Sequence, residues 1–129
     1  MATIKREVDL DLAADSAWSE VRKFNNAAKL FAGVLIDCKS EGDTRSVTFA
    51  NGSTINERLV TRDDQERRLV YTVLDGLFTQ HSASLQIVET AKGCRFVWIS
   101  DFLPDSAAGG VTPLVDAGCQ ALARYFAGR

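Results

Sequence analysis

Residues 94–127 read CRFVWISDFLPDSAAGGVTPLVDAGCQALARYFA, and the hydrophobic period changes inside this stretch. Over 94–103 the side chains alternate, with Phe96, Trp98, Ser100 and Phe102 on one face, although Val97 and Ile99 are apolar too. Alternation at a period of two is a strand signal. From Val111 onward the apolar spacing becomes three or four: Val111, Val115, Gly118, Leu122 and Phe126, with Leu114 and Cys119 beside them. Asp116, Gln120 and Arg124 hold the opposite side, as on an amphipathic helix. Thr112-Pro113 is a helix-start signal, a capping hydroxyl followed by a residue whose missing N–H does no harm in the first turn. A helix over 112–127 spans roughly 24 Å at the α-helical rise, enough to lie across a sheet. A strand that feeds one long amphipathic helix predicts an α+β layer architecture.

Upstream, turn signals at Glu41-Gly42-Asp43, Asn51-Gly52, Asp63-Asp64, Asp75-Gly76 and Lys92-Gly93 separate six strand-like runs. These are 34–40, 44–50, 54–62, 67–74, 79–90 and 94–103, and turn-linked neighbours of this kind form an antiparallel meander. A seventh strand is predicted over 4–12, where Ile4, Val8, Leu10 and Leu12 alternate with Lys5, Glu7, Asp9 and Asp11. Arg6 interrupts the apolar side of that strand. Asp15 and Ser16 then offer helix-start chemistry, and Trp18, Val21 and Phe24 follow at helical steps. Asn25-Asn26 breaks this helix, and a second short one is predicted over Ala27–Ala32, ended by Gly33.

The chain has 129 residues, which suits a single domain over 1–129 with a core of its own. With 46% hydrophobic and 25% charged residues it has the profile of a globular protein rather than a disordered one. Fifteen Lys+Arg against 17 Asp+Glu give a formal charge of −2 and a pI near 5.3. No basic face is expected, so no nucleic-acid partner is. The N-terminal MATIKREVDLDLAADSAW has no apolar run of signal-peptide length, and no stretch reaches the ~18 apolar residues of a membrane helix. A cytoplasmic protein without membrane insertion is expected. Cys38, Cys94 and Cys119 are widely spaced, and the single His81 cannot complete a usual zinc set. They read as buried thiols, with no metal and no cofactor expected; Cys119 as a nucleophile would need a base that the sequence does not place beside it.

The order strand, two short helices, six-strand meander, long C-terminal helix resembles the helix-grip fold of the START-like (SRPBCC) superfamily. Single motifs agree with it. Ala14-Asp15-Ser16-Ala17-Trp18 resembles the family's first-helix start. Gly52 followed by Glu57-Arg58-Leu59 is similar to its Gly…Glu-Arg-Leu strand. Tyr71 within Leu69–Val73, and Trp98 ahead of Phe102 and Pro104, also fit. The resemblance covers nearly the whole chain and is closest to the small bacterial polyketide cyclase/dehydrase-like branch. It departs from the family in having Ala14 where a Pro is frequent before the first helix, and in the Gly109-Gly110 pair. It implies a seven-stranded antiparallel curved sheet wrapped around the C-terminal helix, with a cavity between them that takes a hydrophobic small molecule.

Strand parity then nominates the cavity-facing residues. Glu57 lies between Ile55 and Leu59, Arg45 shares a face with Val47 and Phe49, and Leu69, Tyr71 and Val73 share another. His81 aligns with Ala83, Leu85 and Ile87, near the predicted mouth. A carboxylate on an apolar face is either paired with a cation or has its pKa raised. Glu57 therefore reads as an ion pair with Arg45 or Arg6, as a ligand contact, or as a proton-transfer group. Arg45 reads as a clamp for a ligand carboxylate or as a surface ion pair. The candidate ligand-binding set is Arg45, Phe49, Glu57, Tyr71, Phe78, His81, Trp98, Val115, Cys119 and Leu122. Leu77 and Phe78 sit on a predicted loop and read as a hydrophobic lid or as a partner-binding patch. Gly118 within the helix points to a close approach to the sheet or to room for a ligand.

Three functions follow. The first is a binding module for a hydrophobic or aromatic, lipid- or polyketide-like small molecule. The second is a cofactor-free cyclase or dehydratase using Glu57, His81 and Tyr71 for proton transfer, which requires those three to converge within hydrogen-bond reach of one pocket position. The third is a partner-binding protein with an exposed patch at Leu77 and Phe78 and a collapsed pocket. A monomer and a homodimer are both compatible with the sequence.

Overall fold

The computed structural model describes residues 2–128. The elements are β1 (Ala2–Leu10), α1 (Ala14–Val21), a 3-10 turn (Phe24–Asn26), α2 (Ala27–Leu30), β2 (Leu35–Glu41), β3 (Thr44–Phe49), β4 (Thr54–Asp63), β5 (Arg68–Val73), β6 (Gln80–Thr90), β7 (Gly93–Leu103), a second 3-10 turn (Asp105–Ala107) and α3 (Ala108–Ala127). The seven strands form one antiparallel sheet in the order β1-β7-β6-β5-β4-β3-β2. The helix-grip fold expected from the element order is the fold observed. Each strand of the meander lies within a residue or two of its expected bounds, because turn chemistry fixes hairpins locally.

β1 closes the sheet at its far edge by pairing with β7, so the two ends of the chain's strand set meet. The inner face carries Ile4, Val47, Leu69, Tyr71, Leu85, Phe96 and Phe102, all buried. α1 contributes Trp18 and Val21 to the same core, and α3 contributes Val115, Leu122 and Phe126. Burying one such aliphatic or aromatic side chain contributes about 1.5–3 kcal/mol. Gly93 opens β7 where backbone crowds it: a Cβ there would lie 2.5 Å from the Leu10 carbonyl oxygen.

Two helix starts differ from expectation. α1 begins at Ala14 with Ala13 at the cap position and no side-chain cap bond, so Asp15 lies in the first turn rather than capping it. There its carboxylate sits among unpaired N–H groups and pairs with Arg67. α3 begins at Ala108, four residues before Thr112-Pro113, which lie inside the helix. The 3-10 turn after Pro104 already sets the chain on a helical path, and Gly109 and Gly110 bring no side chain into that first turn. Pro113 removes the main-chain bond to Gly109, a loss confined to the exposed end of the helix.

Candidate functional site

The sheet curves away from the N-terminal half of α3 and leaves a cavity of about 340 Å³. That volume falls in the range of small-molecule sites, roughly 300–1,000 Å³. Its walls are mostly apolar: Phe31, Val34 and Leu35 after α2, Val47 and Phe49 on β3, Ile55 on β4, Val73 on β5, and Val111 and Val115 on α3. Gly118 ends it. A Cβ on Gly118 would lie 2.9 Å from Trp98 Cζ3 and 3.2 Å from Cη2. The indole thus packs on bare helix backbone, with the Phe31 ring tilted beside it at 5.3 Å between ring centroids.

Of the expected ligand-binding set, Arg45, Phe49, Glu57, Tyr71, Phe78, His81, Trp98 and Val115 line the cavity. Cys119 and Leu122 do not. The Trp98–Gly118 contact closes the space one turn before Leu122, which is fully buried in the core. Cys119 lies in the neighbourhood of Arg6 and Asp116, and burial pushes its thiol up to about 11. A protonated thiol is a poor nucleophile.

The central polar feature is Arg45 with Glu57. They are cross-strand partners on β3 and β4, and Arg45 Nε donates to Glu57 Oε1 at 2.8 Å. Arg45 Nη1 donates to the Phe24 carbonyl at 2.7 Å. The guanidinium also lies 4.0 Å from the Phe24 ring centroid and 5.0 Å from that of Tyr71. Arg45 and Glu57 are 7% and 8% exposed, so the pair is internal and not at the surface. Burial raises the Glu57 carboxyl above its ordinary range, and Arg45 pulls it back. Arg6 takes a different partner, Asp116, at 2.6 Å.

His81 replaces part of the sheet. Main-chain pairing of β5 with β6 stops at Tyr71–Ala83. Beyond it the Val73 N–H donates to His81 Nδ1 at 3.1 Å, and Thr72 Oγ1 donates to the His81 carbonyl at 2.7 Å. The ring therefore stands in for a main-chain acceptor. With Nδ1 accepting, the neutral imidazole carries its proton on Nε2. Desolvation lowers the His81 pKa to about 4. The Phe78 ring packs against it, tilted by 40° at 4.8 Å between centroids, and Tyr71 lies 6.0 Å away.

Tyr71 is buried, and burial with the nearby Glu57 charge moves its phenol well above its ordinary pKa. The Trp98 N–H is close enough to favour phenolate slightly, yet no aligned hydrogen bond forms. Trp98 Nε1 is the one buried side-chain polar atom without a partner among the described residues.

Glu57, His81 and Tyr71 all line this one cavity. The loop residues divide. Phe78 packs inward on His81 and Phe102, whereas Leu77 lines the mouth and is 58% exposed. Pattern reading missed the wall formed by Ala107 and Gly110, because it began the helix at 112, and it placed Val111 on the apolar stripe without assigning it to the cavity. It also missed the Phe24 carbonyl, a main-chain acceptor that no side-chain pattern reveals. Among the described residues no helix is long and apolar enough to cross a membrane, and no three His, Cys, Asp or Glu side chains are grouped to hold a metal.

A family model described as polyketide cyclase / dehydrase and lipid transport matches residues 1–127. Among solved structures, a Thermobifida fusca protein is 31% identical, with a TM-score of 0.79 over 97% of this chain and 93% of that one. A Bacillus thuringiensis protein is 22% identical, with a TM-score of 0.87 over 97% and 98% of the two chains. Norcoclaurine synthase from Thalictrum flavum, solved with dopamine and hydroxybenzaldehyde, is 18% identical with a TM-score of 0.69 over 92% of this chain and 84% of that one. At that identity the likeness to the synthase concerns the fold alone. No curated protein matches.

Proposed function

Because this chain belongs to the polyketide cyclase / dehydrase and lipid transport family, we propose that it binds a hydrophobic, ring-containing small molecule between the curved sheet and α3. The observation that carries this reading is the apolar cavity itself, large enough for a small molecule and furnished with few polar groups. Tyr71, Trp98, Phe49 and Phe78 supply aromatic surface for a ring, and offset or edge contacts of that kind favour flat ligands.

The experiment is native mass spectrometry of purified protein followed by organic extraction, with thermal-shift screening of aromatic and lipid compounds. A co-purifying hydrophobic compound, or a melting point raised in proportion to added ligand, is the expected result. Repeated absence of both sinks the reading.

Proton-transfer catalysis is a second reading, favoured by one observation: Glu57, His81 and Tyr71 line the same cavity. Their states weigh against it. His81 Nδ1 is occupied by the Val73 N–H, Tyr71 holds its proton, and Glu57 is engaged by Arg45. Turnover of a cyclisable or dehydratable substrate that is abolished by Glu57→Gln, with binding retained, would establish it.

A further inference from the structure

The polar atoms of this cavity are unbalanced in a way that specifies the ligand. Its one cation and one anion already neutralise each other: Arg45 is engaged by Glu57 and by the Phe24 carbonyl. No charged group is left over for an ionic ligand. What remains is the Ser100 hydroxyl, which donates or accepts, and a set of donors. The Val73 N–H fixes the imidazole so that Nε2–H is its available group. Tyr71 keeps its phenolic proton, and the Trp98 N–H beside it has no acceptor. His81 and Tyr71 lie 6.0 Å apart between ring centroids on neighbouring strands.

We propose that His81 Nε2–H and Tyr71 Oη–H form a paired, uncharged donor site for one acceptor oxygen, so that the ligand is a neutral carbonyl compound and not an acid or an amine. The ligand's oxygen bridges the two rings, and its apolar body runs toward Trp98 and Gly118. Charged ligands are disfavoured because a carboxylate or ammonium would lose its hydration without gaining a counter-ion. The two donors are neutral and held in place before binding, His81 by a main-chain bond and Tyr71 by burial. The inference rests on the pocket-binding reading above.

The test uses four naphthalenes of matched shape with the full chain: acetylnaphthalene, ethylnaphthalene, naphthoate and aminomethylnaphthalene, measured by calorimetry. Acetylnaphthalene is expected to bind about tenfold more tightly than its hydrocarbon isostere, the worth of one to two neutral hydrogen bonds, and more tightly than either ion. Its carbonyl stretch is expected to shift to lower frequency when bound, a readout that needs no variant. Tyr71→Phe removes one donor and keeps the ring. His81→Asn keeps an acceptor for the Val73 N–H, and its shorter side chain withdraws the donor from the Nε2 position. Each is expected to erase most of the ketone's advantage while ethylnaphthalene, which reports an intact cavity, binds as before.

Tightest binding by naphthoate or aminomethylnaphthalene, an unshifted carbonyl stretch, or a ketone advantage that survives both substitutions would overturn the proposal and leave the pocket reading standing. Failure of all four, the hydrocarbon included, would overturn both.

Discussion

Glu57 Oε1 lies 2.8 Å from Arg45 Nε on the neighbouring strand, and both side chains are nearly excluded from solvent at the wall of an apolar cavity. Neither is tolerable there alone. Removing one partner of a buried pair leaves an uncompensated charge, at a cost of about 3–5 kcal/mol, whereas replacing both by apolar groups is often close to neutral. Arg45→Met and Glu57→Leu are therefore each expected to lower the denaturation midpoint strongly. The double variant is expected to recover most of the loss. Chemical denaturation of the four proteins forms the cycle, and additive losses would show that the two side chains act independently.

Gly118 is a second place where the chain has no slack. Alanine favours a helix interior by up to about 1 kcal/mol relative to glycine, but here its Cβ would lie 2.9 Å from a rigid indole carbon. Overpacking of that kind costs about 1–3 kcal/mol, so the steric cost outweighs the propensity gain. Gly118→Ala is expected to lower the melting temperature by a few degrees, shift Trp98 fluorescence, and weaken ligand binding by displacing the indole into the cavity. An unchanged or raised melting temperature would show that Trp98 yields without cost.

The third prediction concerns acid. An unfolded His titrates near 6.5, and in the fold desolvation lowers His81 to about 4. The unfolded chain thus takes up this proton first as pH falls. Stability linked to His81 is fully present above about pH 6.5 and is lost as pH drops toward 4. Protonation also turns Nδ1 from acceptor to donor, against the Val73 N–H. Discounted for partial exposure, the loss attributable to His81 is about 1–2 kcal/mol. Urea unfolding between pH 7 and pH 4.5 measures it, with His81→Asn as the reference that lacks the titration. Identical pH slopes for the two proteins would remove His81 as the cause.

How much of this was legible in the sequence depends on the range of the interaction. The meander was legible because its turns are local, and the inner faces were legible because alternation survives wherever a strand is regular. The bulge between Leu59 and Thr61 falls just after Glu57, so it leaves the inward parity of Ile55 and Glu57 intact. Arg45 and Glu57 share an inward face by parity, but only the register shows that they are opposite each other. His81 was readable as cavity-facing but not as a substitute for a main-chain acceptor, because that role depends on where the β5–β6 ladder stops. Cys119 and Leu122 continue the apolar stripe of α3 past the point where Trp98 closes the cavity, and helical periodicity carries no record of where a sheet bends away.

The last prediction separates entry to the cavity from its floor. Leu77, on the β5–β6 loop, and Leu114, near the start of α3, both line the cavity and are 58% and 42% exposed. Solvent already covers much of each, so shortening them costs little: Leu77→Ser and Leu114→Ser are each expected to change stability by no more than about 0.5 kcal/mol. A ligand passing between them buries apolar surface against both, at roughly 25 cal/mol per Å². Affinity for a hydrophobic ligand is therefore expected to fall severalfold, with most of the change in the dissociation rate. Stopped-flow fluorescence with an environment-sensitive hydrophobic dye measures both rates. If ligand kinetics are unchanged in both variants while a protein partner is lost, the exposed leucines serve as a docking surface and the cavity is entered elsewhere.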